Sequence, residues 1–524
     1  MGKNIRLETD VLIIGCGIAG GSAALELAKQ GLNVLIVTRE KDPHQSNTFH
    51  AQGGIVTLGD DDSPELLIED IIKTGDGICN PKAVQILVND GKKLVEKILI
   101  NELKVPFSKK RDGSLDYAQE AGHSRRRILH VKDATGKSIE ERLIAKLKKY
   151  KNIKFLTNHT AIDLLTIPHH SINPLAIYQT PQCIGAYVLD NEEGKVKTIF
   201  ASYTILATGG LGRIYLHTSN PEGARGDGYA MAFRAGARLM NMEYIQFHPT
   251  SLFHRNAERF LISETLRGEG ARLKNKNGEL FMEKYSPEGD LAPRDEVTRA
   301  IYEEMIVRGD SYVLLDLASY TKINIKERFP TIYETCLKYG IDITKEPIPV
   351  VPAAHYCCGG VVVDEWGRSS LKNLFAVGEV SCTGVHGANR LASTSLLEGL
   401  VWGTRAGKFI ADNFKPEKNY KPSDIPDWRY PEEEEEEDPA LIHQDWFLIR
   451  STMWNYAGII RTQKRLERAK ADLEYLEHRI EKFYKTTKIT DSLIGLRHGI
   501  KVALLVTDAA LRNKVSRGAH YRKD

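Results

Sequence analysis

A short glycine-rich turn near the start of the chain limits most strongly what this sequence can fold into. An unbroken apolar run at residues 11–14 precedes the turn, a helix is predicted over residues 19–30, and a second apolar run follows at residues 34–37. This order predicts a right-handed strand–helix–strand unit whose turn faces the pyrophosphate of a dinucleotide. The first glycine permits a tight turn, the second lets the backbone approach the ligand, and the third lets helix and strand pack closely. The residues expected to contact the ligand here are Gly15, Cys16, Gly17, Ile18, Ala19 and Gly20.

The segments after the second apolar run favour FAD as the dinucleotide. Dinucleotide-binding folds usually carry an acidic residue that binds ribose at the end of the second strand. In this sequence Arg39 occupies that position, and Glu40 lies slightly beyond it. A polar, glycine-bearing loop at residues 46–54 and a glycine turn at residues 207–210 permit close backbone approach. Glu379 ends another apolar run with a carboxylate that can accept hydrogen bonds from ribitol. The further residues predicted to contact FAD are Arg39, Ser46, Asn47, Thr48, Ala51, Gln52, Gly53, Gly54 and Glu379.

The 524-residue chain is too long for one ordinary core. Strands predicted at 203–207 and 373–377 extend the first sheet from distant parts of the sequence, and apolar side chains at helical spacing over 466–483 predict a buried helix face. The predicted fold is α/β, with a Rossmann-like FAD-binding domain, an inserted α+β capping domain and a C-terminal helical domain. The predicted bounds are 1–239 and 355–424 for the FAD-binding domain, 240–354 for the capping domain, and 425–524 for the helical domain.

Composition excludes several other classes of protein. A formal net charge of +3 gives no case for a nucleic-acid or membrane-surface partner, and no apolar run reaches the length of a membrane helix. The seven cysteines include no CxxC pair, so we expect reduced thiols, no metal site and a cytoplasmic location. The acidic run at residues 432–437 is either a docking tail for a basic partner or a solvated linker before a helix, and we favour the linker.

Several motifs spread along the chain make the expectation more specific. They are Ala51-Gln52-Gly53-Gly54, Gly226-Asp227-Gly228, Gln246-Phe247-His248-Pro249-Thr250, Arg267-Gly268-Glu269-Gly270, Leu291-Ala292-Pro293-Arg294-Asp295, Pro352-Ala353-Ala354-His355-Tyr356 and His386-Gly387-Ala388-Asn389-Arg390. With them the chain resembles the flavoprotein family of succinate dehydrogenase, fumarate reductase and L-aspartate oxidase, and the likeness is greatest to the aspartate-oxidising branch. The resemblance implies that Asp227, Glu379, Ser395 and Leu396 contact FAD.

The resemblance also implies a dicarboxylate site. The residues implied to bind the two substrate carboxylates are His248, Ser263, His355 and Arg390. Arg294 matches the residue that exchanges a proton with the substrate carbon, and Glu264 and Arg267 match its relay. Free arginine is a poor acid, because its pKa lies above about 12, so this role depends on the relay. The alternative is an ion-pair cluster that only locks two domains together.

Two positions separate the branches of the family. Glu120 matches a glutamate of the aspartate oxidases, and a carboxylate there would bind the ammonium group of aspartate but lose hydration against the methylene of succinate. The alternative is that Glu120 pairs with Arg125 or Arg126 at the surface. Asn47 stands where relatives in membrane complexes carry a histidine tethered to the flavin, so we expect FAD to be bound without a covalent link.

The reaction implied is oxidation of L-aspartate to iminoaspartate by hydride transfer to flavin N5, with oxygen or fumarate as the electron acceptor. In this family the product feeds quinolinate synthase in NAD biosynthesis. The nearest alternative is a flavoprotein subunit of succinate dehydrogenase or fumarate reductase, docked on an iron–sulfur partner. A non-catalytic FAD-binding or RNA-associated protein is a second alternative, disfavoured by the near-neutral charge and the set of histidines and arginines.

Overall fold

The computed structural model describes residues 5–120, 122–132, 134–257, 260–415, 420–431 and 435–524. Three glutamates of the acidic run, residues 432–434, lie outside the described residues. Where the description resumes, Glu437 accepts a hydrogen bond from Thr490, the N-cap residue of the last helix. Asp438 caps the helix Pro439–Tyr456 by accepting a hydrogen bond from the backbone N–H of Ala440 at 2.9 Å. The described end of this segment therefore serves helix starts, as the linker interpretation expects.

Seven strands form the central sheet. Its parallel part contains Ile5–Ile14, Val34–Val37, Ile153–Leu156, Lys195–Leu206 and Leu374–Ala376, and its antiparallel part contains His159–Thr166 and Cys183–Asp190. Ile14 is in register with both Val37 and Leu206, and Leu206 is in register with Ala376. The turns that follow these strands consequently lie at one edge of the sheet, where open α/β sheets bind their ligands.

Helices cover the carboxyl-terminal parts of the parallel strands, which explains why residues 11–14 and Val34–Val37 are apolar and buried on both faces. The helix Ile18–Lys29 follows the glycine turn and packs against the long helix Ser395–Asp412. The two backbones approach closely, since a Cβ atom on Gly403 would lie 2.3 Å from the carbonyl oxygen of Ala19. This contact brings the start of the long helix to the carboxyl edge of the sheet.

The capping region is built on a second, antiparallel sheet. Its strand order is Ile245–Leu252, Ile348–Cys357, Val313–Asp316 and Arg272–Lys274. The helix Arg294–Arg308 packs against the first of these strands. The strand Ile348–Cys357 crosses the boundary predicted between residues 354 and 355. The division into domains stays a prediction.

Three helices form the C-terminal region, Pro439–Tyr456, Gln463–Thr486 and Asp491–Arg512. The predicted apolar stripe is buried along the middle helix at Leu466, Ala469, Leu473, Leu476 and Ile480. The last helix also contacts the FAD-binding region, where Arg497 and His498 lie beside Asp163 and Asp227. The α/β fold with a capping region and helical C-terminus is thereby confirmed.

Shorter elements complete the fold. The strands are Ile55–Val56, Tyr117–Ala118, Ile128–Leu129, Leu239–Met240, Gly360–Val362 and Ser381–Cys382, and the helices are Pro64–Thr74, Pro81–Leu94 with its π-helical continuation Val95–Glu102, Thr135–Leu147, Ile167–His170, Asp227–Arg234, Thr265–Gly268, Ile325–Arg328 and Pro330–Lys338. Within the described ranges no helix is both long and apolar enough to span a membrane, and His, Cys, Asp and Glu form no group of three able to hold a metal ion. All seven cysteines are free.

Candidate active site

A cleft of about 620 Å³ runs from the glycine turn to the capping sheet. It is lined by nearly every residue predicted for the cofactor and the substrate: Gly15, Cys16, Gly17, Ile18, Ala19, Arg39, Ser46, Asn47, Thr48, Ala51, Gln52, Gly53, Gly54, Glu120, Asp227, His248, Ser263, Glu264, Arg294, His355, Glu379, Arg390, Ser395 and Leu396. Two predicted residues lie behind the wall instead. Gly20 packs beneath the glycine turn, and Arg267 lies behind Glu264. The fold thus brings segments separated by more than three hundred residues into one site.

The glycine turn is shaped by close backbone contacts. Gly15 has φ +106°, and a Cβ atom there would lie 2.1 Å from the carbonyl oxygen of Ala207. A Cβ atom on Gly20 would lie 2.2 Å from the carbonyl oxygen of Gly15. The hydroxyl of Thr48 accepts a hydrogen bond at 3.0 Å from the backbone N–H of Ile18, which joins the polar loop to the helix start. These contacts leave the turn's backbone facing the cleft, as a pyrophosphate requires.

Glu379 follows the strand Leu374–Ala376 at the same edge of the sheet, with its carboxylate in the cleft wall. One of its oxygens accepts a hydrogen bond from the side-chain amide of Asn47 at 3.0 Å, and the other accepts from the backbone N–H of Cys357 at 3.1 Å. Burial raises the pKa of Glu379 to about 7. The group can therefore donate as well as accept hydrogen bonds near neutral pH, which suits a polyol such as ribitol.

Asp227 and Arg39 connect the cleft to the C-terminal helices. The Asp227 carboxylate pairs with Arg225 at 3.0 Å and lies 3.1 Å from His498. Burial opposes ionisation of Asp227, but the adjacent Arg225 guanidinium outweighs it and holds the pKa below its ordinary value. Arg39 contacts Asp491 at the start of the last helix, at 3.3 Å. The helical region accordingly supports the end of the cleft that contains the glycine turn.

The cleft fits FAD on structural grounds. The long helix beginning at Ser395 has no side chain capping its first N–H groups, so they can interact with a ligand. The hydroxyl of Thr208 lines the cleft and is buried with no hydrogen-bond partner among the described residues. A large polar cofactor bound beside the glycine turn would accept hydrogen bonds from these donors.

His248 and His355 lie on neighbouring strands of the capping sheet. Their ring centres are 5.5 Å apart, and an irregularity in strand pairing after His248 interrupts the regular ladder there. His355 contacts the hydroxyl of Ser219 at 2.7 Å. Burial lowers the pKa of both imidazoles well below the ordinary value, and the guanidinium groups of Arg294 and Arg390 lower it further. Both rings are therefore neutral at pH 7 in the free site.

Arg390 contributes a buried positive charge to the same end of the cleft. Its side chain donates to the Gln246 side-chain oxygen at 3.0 Å and more weakly to the Leu391 carbonyl at 3.4 Å. Among the described residues, no carboxylate lies within 4.0 Å of this guanidinium. A buried charge without a counter-ion is costly, so the site is prepared for an anionic ligand. Ser263 adds a hydroxyl to the lining and contacts Thr265 at 3.0 Å.

Arg294, Glu264 and Arg267 form a continuous chain of charges that runs from the cleft into the buried interior. The Glu264 carboxylate accepts from Arg294 Nε at 2.6 Å with one oxygen and from Arg267 Nη2 at 2.5 Å with the other. Burial alone would raise the pKa of Glu264, but the two guanidinium groups outweigh it and lower that pKa. Arg294 is the first residue of its helix and faces the cleft. These two hydrogen bonds connect Arg267 through Glu264 to Arg294 at the cleft.

Glu120 faces the cleft and is held by Ser393. The Ser393 hydroxyl donates to the Glu120 carboxylate at 2.8 Å, and the Ser393 backbone has φ +57°. Arg125 donates instead to the Ser124 carbonyl, and Arg126 to the Tyr117 carbonyl. The surface pairing considered as the alternative for Glu120 does not occur in this structure.

Sequence reasoning missed several residues of the cleft wall. They include Ser219, Asn220, Tyr356 and Ser393. Tyr356 directly follows His355 within a motif, and Ser393 lies between two predicted site residues, so adjacency was a usable signal for both. Ser219 and Asn220 come from a loop that carries no motif, and only the fold places them beside His355.

Comparison with known proteins agrees with the architecture. Residues 10–396 match the FAD binding domain family, and residues 448–524 match the family described as fumarate reductase flavoprotein C-term. A variant of quinol fumarate reductase from E. coli has a TM-score of 0.87 and 29% identity, covering 99% of this chain and 92% of that one. Sdh1 of Mycobacterium smegmatis has a TM-score of 0.84 and 30% identity, covering 99% and 89%. The fold and the cleft define an FAD-dependent oxidoreductase.

Curated relatives narrow the class. The L-aspartate oxidase of Pseudomonas aeruginosa is 42% identical over 525 residues, covering 99% of this chain and 95% of that protein. The L-aspartate oxidase of Halobacterium salinarum is 42% identical, covering 98% and 96%. The chain belongs to the L-aspartate oxidase family, within the succinate dehydrogenase and fumarate reductase group of flavoproteins.

Proposed function

We propose that the protein catalyses FAD-dependent oxidation of L-aspartate to iminoaspartate, the first step of quinolinate and NAD biosynthesis. The observation that carries this proposal is the charge arrangement of the cleft. Arg390 is a buried cation with no carboxylate partner among the described residues, and Glu120 is a carboxylate in the same lining. A ligand with two carboxylates and one ammonium group complements both.

The substrate carboxylates would be bound by His248, His355, Arg390 and Ser263. Arginine offers a planar, two-pronged donor for a carboxylate. The two imidazoles are neutral in the free site, so each can donate one hydrogen bond without adding a second buried charge. Binding at both ends fixes the carbon chain, which is the main requirement for a directed hydride transfer.

Glu120 would bind the substrate ammonium group. A charge-assisted hydrogen bond of this kind contributes about 1.5–3 kcal/mol. Succinate presents a methylene at the same place, so the carboxylate would lose hydration without compensation. One side chain thereby favours aspartate and disfavours succinate.

The chemistry requires loss of one hydride and one proton. Bound in the cleft, FAD would supply the acceptor for the hydride that leaves Cα. The substrate nitrogen loses a proton as the C=N bond forms. With fumarate as acceptor, Arg294 would give a proton to the substrate carbon and regain it through Glu264 and Arg267.

The wider context is also part of the proposal. Oxygen or fumarate would serve as the electron acceptor, and quinolinate synthase would consume the unstable imine product. A cytoplasmic location would suit a small soluble substrate and product. Two solved structures of similar fold support one rival, a flavoprotein subunit that acts on succinate or fumarate.

A substrate screen tests the proposal directly. Purified yellow protein is mixed without oxygen with L-aspartate or with succinate, and bleaching of the flavin absorbance is followed. We expect fast bleaching with aspartate and far slower bleaching with succinate. The opposite preference would assign the protein to the succinate-oxidising branch, and no bleaching with either would contradict the enzymatic role.

A further inference from the structure

A buried polar cluster lies behind Arg390 and has no role in the proposed chemistry. Tyr356 is 6% exposed, and its hydroxyl donates to Glu398 at 2.8 Å. His386 Nε2 lies 2.9 Å from the same carboxylate oxygen, and the Thr383 hydroxyl donates to the other oxygen at 2.6 Å. Tyr356 and His386 belong to motifs noted in the sequence, but neither motif assigned them a function.

The ring of Tyr356 faces the Arg390 guanidinium. The guanidinium carbon lies 4.7 Å from the ring centre, inside the range of a cation–π contact. Arg390 is 4% exposed, and Gln246 supplies its one short side-chain hydrogen bond among the described residues. In a desolvated site such a ring is a major part of what holds the cation. The orientation of the ring therefore controls the orientation of the guanidinium.

Glu398 fixes that orientation. Burial opposes ionisation of Glu398, but the adjacent His386 outweighs it and keeps the pKa of the carboxyl below its ordinary value. A phenol that donates to a carboxylate has a more electron-rich ring, which attracts a cation more strongly. The hydroxyl bond also removes the freedom of the ring to tilt.

We propose that Tyr356, anchored by Glu398 and His386, is the positioning residue that holds the Arg390 guanidinium in place for a substrate carboxylate. The inference rests on the proposed function, since it takes Arg390 as a carboxylate ligand. Tyr356 also lines the cleft and adjoins His355, so the same anchor supports two of the predicted substrate ligands. In a purely structural role, the bond to Glu398 would only satisfy the buried Tyr356 hydroxyl, and its loss would leave ligand affinity unchanged. In the positioning role, its loss would weaken ligand binding.

The test uses the flavin-loaded protein and its equilibrium affinity for fumarate, which the oxidised enzyme cannot turn over. Tyr356→Phe keeps the ring and removes the anchor, and Glu398→Gln keeps the shape and removes the charge. We expect each to raise the fumarate Kd roughly tenfold, which is about 1.4 kcal/mol. Both substitutions act through the contact between Tyr356 and Arg390. The double variant should therefore have a fumarate Kd no higher than that of the single variant with the higher Kd. Flavin content should stay at the wild-type level.

Tyr187→Phe is the matched control. Tyr187 is 5% exposed and its hydroxyl donates to the Pro426 carbonyl at 2.6 Å, away from the cleft. It should lower thermal stability and leave the fumarate Kd unchanged. If Tyr356→Phe behaves in the same way, Tyr356 is structural and the inference is overturned. Additive losses in the double variant would overturn it as well.

Arg390→Gln, which removes the positive charge, separates failure of the inference from failure of the proposed function. If this variant binds fumarate as tightly as the wild type, Arg390 is not a carboxylate ligand and the proposed substrate site is wrong. If it binds weakly while Tyr356→Phe and Glu398→Gln bind normally, only the positioning role is wrong. Should Tyr356→Phe not retain flavin, Glu398→Gln decides the question, because it preserves both side-chain volumes.

Discussion

The two ends of the cleft are built on different physical principles. The cofactor end, around Gly15 and Glu379, uses backbone and short polar groups set by close steric contact. The substrate end, around Arg390 and the Arg294–Glu264 pair, uses long charged side chains buried at high electrostatic cost. The difference predicts that added volume disrupts the first end, whereas altered charge or donor geometry disrupts the second.

The largest expected effect is at the glycine turn. Gly15→Ala places a Cβ atom 2.1 Å from the Ala207 carbonyl oxygen at a φ of +106°. We expect purified Gly15→Ala to contain no flavin by absorbance. Gly31→Ala is the matched control, because Gly31 also has positive φ, +82°, but nothing lies within 4 Å of its added Cβ. A yellow Gly15→Ala protein would show that steric closeness does not define this end.

The mode of flavin attachment tests the same end. Asn47 donates its amide to Glu379 and offers no nucleophile or imidazole for a covalent link. Acid precipitation of the wild-type protein should therefore release all the yellow colour into the supernatant. His50 lines the cleft and His44 lies nearby in sequence, so flavin retained in the denatured pellet would point to one of them.

At the substrate end, Arg294→Lys should retain FAD and much of the affinity for fumarate. Lysine keeps the charge but not the planar group that bridges to Glu264. Loss of a positioned proton donor commonly costs a factor of about 10²–10⁴, so we expect fumarate reduction to fall at least about a hundredfold. Near-normal turnover would reduce Arg294 to a structural ion-pair residue.

Glu120→Gln sharpens the comparison within the substrate end. Oxidation of L-aspartate should fall by at least about tenfold, or roughly 1.4 kcal/mol, while fumarate reduction changes much less. The reason is that only aspartate carries an ammonium group. Arg126→Gln serves as a surface control, because Arg126 is exposed and donates to the Tyr117 carbonyl and not to Glu120. Equal losses on both substrates would mean that Glu120 supports the fold and does not read the amino group.

The smallest effect expected is a pH dependence of ligand binding. The pKa values of His248 and His355 are lowered in the free site, chiefly by burial. A bound dianion favours the protonated rings and raises those pKa values, so binding takes up protons and strengthens as pH falls. As pH falls below about 7, towards the lowered pKa values of the free rings, the fumarate Kd should fall by less than about tenfold per pH unit for each proton taken up. Calorimetry of fumarate binding in two buffers of different ionisation enthalpy measures the protons taken up. A Kd that does not change with pH, with no proton uptake, would contradict the prediction.

The sequence predicted the cofactor end more completely than the substrate end. The turn and the polar loop lie close together in sequence, within residues 15–54. The spacing of their glycines depends on local backbone geometry, which a sequence motif can show. The substrate residues were named only through a resemblance, because spacing along the chain says nothing about which charges meet in space. The pairing of Glu120 with Ser393, rather than with Arg125 or Arg126, could not be read from the order of residues.

The sequence by itself determined the α/β class, the dinucleotide turn and the apolar helix stripe, because each depends on short-range periodicity or on a compact motif. Only the tertiary structure decided how the capping strands bring His248 within 5.5 Å of His355, and how Glu398 supports Tyr356 beneath Arg390. Those contacts depend on long-range packing and on the exclusion of water, and both exist only once the separate segments have been folded together.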